Sequence, residues 1–90
     1  MGLSRILVVE DERHASRLVQ VNLEKQGWEV ETAICGADAL ALASKVFDFV
    51  VVDPTLPDMT LAAFRQFLSN DPRTAALEVK VIEKSATSTQ

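Results

Sequence analysis

Ninety residues with a 48% apolar share suffice for one small core, and no shift in composition marks a second domain, so residues 1–90 are read as a single unit. A net charge of −4, with nine basic residues scattered rather than clustered, excludes a nucleic-acid footprint. Every apolar run is shorter than the ~20 residues of a membrane span, the N-terminus reads as a strand rather than a signal peptide, and the lone Cys35 excludes an internal disulfide; a cytoplasmic protein is expected.

The first element is the apolar run Ile6-Leu7-Val8-Val9, a strand that stops at Glu10-Asp11-Glu12. Residues 11–13 read as a loop and residues 14–26 as a helix, with Ala15, Leu18, Val19, Asn22 and Leu23 on one face at helical spacing. Gly27 ends that helix as a C-terminal cap. Residues 28–33 alternate Trp28, Val30 and Thr32 with Glu29 and Glu31, the pattern of a half-exposed edge strand, with Trp28 packed on the sheet rim. Cys35 reads as a small core residue, and residues 36–46, rich in Ala and Leu, form a second helix.

Residues 47–53 make the third strand. The run is β-branched, short enough to be buried on both faces, and ends at Asp53 because Pro54 and Pro57 forbid a continued central strand. Residues 61–69 are a third helix with Leu61, Phe64, Phe67 and Leu68 toward a core, stopped by Asn70-Asp71-Pro72. Residues 77–83 read as a fourth strand whose Glu78 and Lys80 leave one face wet, and residues 84–90 as a flexible polar tail. Strand and helix alternate throughout, which predicts an α/β layer on a parallel sheet with right-handed crossovers.

If the first and third strands lie side by side, Glu10, Asp11 and Asp53 meet at the carboxyl edge of the sheet, where open α/β sheets bind ligands. Three acids there repel one another unless a cation neutralises them, and an all-oxygen set with room for water suits Mg²⁺. A carboxylate beside such a cation can act as a nucleophile toward a phosphoryl group, and Asp53, after which the chain turns away, is the better placed.

Four segments then carry a resemblance: residues 6–12; Thr32-Ala33 with Gly36 and Ala39-Leu40; residues 47–53 with Leu56-Pro57-Asp58-Met59; and Asp71-Pro72-Arg73-Thr74. In this order and spacing they resemble the receiver domain of two-component response regulators, over residues 5–81. The resemblance implies a flavodoxin-like parallel sheet of strand order 2-1-3-4, truncated after the fourth strand. It implies a signalling domain rather than an enzyme. Asp53 becomes the phosphoacceptor, served by a histidine kinase or phosphotransfer protein, and Mg²⁺ is held by Glu10, Asp11, Asp53 and the backbone carbonyl of Thr55.

The departures are specific. The family's glycine after the acceptor loop falls on Leu61, its phosphate-binding Ser/Thr falls on Glu83, and its aromatic switch has no counterpart in a chain without tyrosine. The chain stops where the family begins its fourth helix; an alternative alignment makes Lys84 the family's lysine. An uncovered edge or sheet face favours a homodimer or higher oligomer. Two functions therefore stand: a phosphorylated receiver, and a pseudo-receiver that acts as a protein-interaction module.

Overall fold

The computed structural model describes residues 4–43 and 47–82. Four strands and three helices alternate: β1 (Arg5–Val9), α1 (Arg13–Lys25), β2 (Glu29–Ala33), α2 (Gly36–Leu42), β3 (Phe49–Val52), α3 (Leu61–Asn70) and β4 (Glu78–Val81). All strand pairs are parallel and the sheet order is β2-β1-β3-β4. This is the order expected of a flavodoxin-like sheet through its fourth strand. The expected tail, residues 84–90, and the last residues of the second helix, 44–46, lie outside the described residues.

Each helix begins for a local reason. The Glu12 carboxylate accepts from the Ala15 N–H at 2.8 Å and starts α1, and the Thr60 hydroxyl does the same for α3 from the Ala63 N–H at 3.0 Å. Gly27 turns the chain out of α1 with φ +98°, a conformation that costs a glycine nothing. It is the sole positive φ among the described residues, so Leu61 occupies the family's glycine position with ordinary backbone as the first residue of α3.

The alternation of strand side chains divides the sheet into two unequal faces. On one, Leu7, Val9, Val50 and Val52 pack against Ala39, Ala43, Phe64 and Leu68 of the α2–α3 side, with Phe47 closing the base. On the other, α1 packs on β1 and β2, and Ile6 and Val8 are fully buried. Phe49 and Val51 of β3 are only half-buried there, so the β3 run is not buried on both faces as its composition predicts. Lys80 reaches back over this side, its ammonium 4.9 Å from the centroid of the Phe49 ring, and Trp28 meets the same ring edge-on at 5.1 Å.

Three further expectations need correction. Leu18 is 66% exposed and Asn22 is exposed; the stripe of α1 that faces the sheet is the narrower Ala15, Val19 and Leu23. Phe67 is 53% exposed while Phe64 is buried, because residues three apart on α3 straddle the edge of its buried face. Cys35 is half-buried at the N-cap of α2, without a side-chain cap bond of its own, rather than inside the core.

Candidate functional site

The carboxylates sit where the strands stop. Backbone bonds carry the ladder one residue past each strand end: Asp53 N–H donates to the Val9 carbonyl at 2.9 Å and Glu10 N–H to the Ala33 carbonyl at 3.0 Å. Both residues are thus fixed at the carboxyl edge of the central strands, and both are buried, whereas Asp11 is exposed. Glu10, Asp11 and Asp53 each bring a carboxylate oxygen to within 4.8 Å of the others. The grouping expected from the strand ends is the grouping found.

Local hydrogen bonds orient the acids. Asp53 Oδ1 accepts from both the N–H and the hydroxyl of Thr55, each at 2.9 Å, which holds residue 55 against the acid. Glu10 Oε2 accepts from the Glu12 N–H at 3.0 Å, so the residue that caps α1 also steadies the pocket wall. An all-oxygen donor set with one solvent-facing member fits a hard divalent cation that keeps several waters, as Mg²⁺ does. A cleft of about 540 Å³ opens beside the cluster, lined by Glu10, Asp11, Arg17, Cys35 and Pro57 among others.

Sequence reasoning missed how the loop after Asp53 is attached. Cys35 provides no cap for α2, and the first amides of that helix are taken up from across the fold: Asp58 accepts from the Gly36 N–H at 2.8 Å and the Ala37 N–H at 2.9 Å. These two backbone donors, Ala37 first, lower the Asp58 pKa, and the Cys35 thiol adds to the effect. Met59 closes the same joint. A Cβ on Gly36 would stand 2.6 Å from the Met59 sulfur, so any side chain there obliges the Met59 thioether to shift, and the constraint is one of space rather than of backbone conformation. A cysteine at an N-cap, where Ser, Thr, Asp or Asn is usual, is the signal in the sequence that a cap must arrive from elsewhere.

Comparison with known proteins agrees with this geometry. Residues 6–89 match the profile of the response regulator receiver domain. The chain belongs to the response regulator receiver family. Its relatives include the DNA-binding dual master transcriptional regulator RpaA of Synechocystis sp., 35% identical over 81 residues, which cover 89% of this chain and 34% of the relative. The transcriptional regulatory protein TrcR of Mycobacterium tuberculosis is 39% identical over 75 residues, or 81% of this chain and 29% of the relative. This receiver thus spans about a third of the length of such curated relatives. Among solved structures, a sensor protein from Polaromonas sp. JS666 superposes with a TM-score of 0.85 at 32% identity, over 93% of this chain and 68% of that one. Chemotaxis response regulator CheY4 of Vibrio cholerae gives 0.84 at 26% identity, over 97% and 76%. Glu83, at the family's Ser/Thr position, and Lys84, the family's lysine in the alternative alignment, lie outside the described residues.

Proposed function

We propose that this receiver accepts a phosphoryl group on Asp53 in the cytoplasm, from a histidine kinase or phosphotransfer protein, with Mg²⁺ held by Glu10, Asp11, Asp53 and the backbone carbonyl of Thr55. The observation that carries the reading is the buried Asp53 carboxylate grouped within 4.8 Å of Glu10 and Asp11 at the carboxyl edge of the sheet. An oxygen of Asp53 attacks phosphorus, the P–N bond of the donor phosphohistidine breaks, and its electron pair returns to the imidazole nitrogen, which takes up a proton. A bound Mg²⁺ would neutralise both the acids and the oxygens of the transferring group. Thr55 holds one Asp53 oxygen, Oδ1, through its N–H and its hydroxyl and so orients the carboxylate. The partners proposed are the phosphodonor and a second copy of the chain, with no nucleic acid or membrane contact.

The test is incubation with Mg²⁺ and a small phosphodonor such as acetyl phosphate, followed by intact mass. The reading expects the gain of one phosphate, abolished by chelation and by Asp53→Asn. A second reading, a pseudo-receiver that acts through protein contacts alone, is favoured by Glu83 at the family's Ser/Thr position, where an anion would repel phosphate. No mass gain, or an equal gain in Asp53→Asn, would leave that second reading in possession.

A further inference from the structure

We infer that Asp58 is a positioning residue for the cation site: its bonds to the start of α2 set the direction of the Thr55 carbonyl, a role that rests on the Mg²⁺ reading above.

Thr55 is anchored on its N-terminal side by Asp53. Its N–H and its hydroxyl both reach Asp53 Oδ1 at 2.9 Å, which fixes the residue as far as its Cα. The direction of its carbonyl depends on ψ, and so on where the chain runs next. Three residues on, Asp58 Oδ1 accepts from the Gly36 N–H at 2.8 Å and Asp58 Oδ2 from the Ala37 N–H at 2.9 Å. One carboxylate thus engages two donors with both oxygens, in charge-assisted bonds that fix an angle as well as a distance.

Between the two anchors lie only Leu56 and Pro57. Proline has a fixed φ, and the residue before it is confined to extended backbone, so the span is a short, stiff strut. A displacement at Asp58 is therefore carried to the peptide after Thr55 rather than absorbed on the way. Leu56 and Met59 pack on the core cluster, but apolar contact is non-directional and does not set the line along which the strut runs. Pro57 also lines the cleft beside Glu10 and Asp11, so the same anchor places one wall of the site. Asp58 is itself exposed, and what it contributes is direction, not burial.

The same bonds serve α2, because Cys35 gives that helix no side-chain cap. Capping and positioning are separable. A cap supplied at residue 35 holds the helix start without any tie to the loop.

The experiment titrates magnesium chloride into the isotope-labelled chain at fixed ionic strength, with the Kd read from amide chemical shifts and stability from urea melts. Asp58→Ala is expected to raise the Mg²⁺ Kd about tenfold, the usual loss when a group that orients a metal ligand is removed. Asp58→Asn keeps one accepting oxygen and the side-chain volume, so its Kd falls between the two, and it decides the matter where the alanine variant does not fold. Adding Cys35→Ser to Asp58→Ala caps α2 locally and returns stability, while the Kd stays high. Asp38→Asn removes a carboxylate from the first turn of α2 without touching the loop and leaves the Kd unchanged. A Kd that follows the urea midpoint across these variants, or that rises equally in Asp38→Asn, overturns the positioning role. Equal Mg²⁺ affinity in the wild type and Asp58→Ala overturns that role alone and leaves the phosphoacceptor reading standing. A wild type that binds no Mg²⁺ overturns both.

Discussion

Replacing Phe64 by alanine removes the largest fully buried side chain in the described residues, from the side of α3 that joins the core cluster of Leu7, Val9, Val50 and Val52. Large-to-small changes of this kind cost about 3–5 kcal/mol, the transfer of the ring plus the cavity it leaves. A chain of 90 residues has roughly 5–13 kcal/mol of total stability, so one ring accounts for a large fraction of it. The midpoint of thermal unfolding is expected to fall by about 12–40 °C. Phe67→Ala makes the same chemical change three residues along the same helix, with nearly the same effect on helix propensity, at a position 53% exposed. Its cost is expected within about 0.5 kcal/mol. Urea and thermal melts followed by circular dichroism measure both. Equal losses in the two variants, or a loss below about 1 kcal/mol for Phe64→Ala, would refute the orientation of α3 and the core built on it.

The joint between α2 and the loop after Asp53 makes two further predictions. Gly36→Ala drives a methyl against the Met59 sulfur and should cost about 1–3 kcal/mol, while the same change in a Met59→Ala background should cost much less, a coupling read by a double-mutant cycle of urea melts. The carboxylates of Asp58 and Asp71 both titrate below the ordinary 3.8, Asp71 at about 2 because the Arg73 side chain hydrogen-bonds it. A lowered pKa in the folded state means that the unfolded chain binds protons first. The stabilisation from these acids is therefore complete above about pH 4 and fades as pH falls toward about 2. Acid titrations monitored by circular dichroism should show a shallower decline in Asp58→Asn and Asp71→Asn than in the wild type. Asp58 is exposed and Asp71 is partly so, so the change is a small one in slope and not a loss of fold.

Much of the fold and the acid cluster was legible because each rests on a local signal. Apolar runs that stop at acids or prolines mark strands with carboxylates at their ends, and alternation with helices leaves parallel pairing as the economical topology. Glu10, Asp11 and Asp53 follow from that placement alone. Burial was less legible, since periodicity shows which residues share a face but not how much of the face is covered. Leu18, Phe67, Phe49 and Val51 all carry core-type side chains and all retain solvent exposure, because α1 packs on only two strands and α3 turns one ring outward. The Asp58 cap was invisible for another reason. It joins positions more than twenty residues apart, and only the unsuited cysteine at the helix start pointed to it.

The central claim is that Asp53 itself becomes the acyl phosphate. Borohydride reduces an aspartyl phosphate to homoserine, so the chain treated with a phosphodonor and Mg²⁺ can be reduced, digested and its peptides sequenced by mass spectrometry. Homoserine is expected at position 53, and absent when Mg²⁺ is chelated. Homoserine at Asp11 or at any other aspartate, or none in a sample that carries phosphate, would contradict the claim.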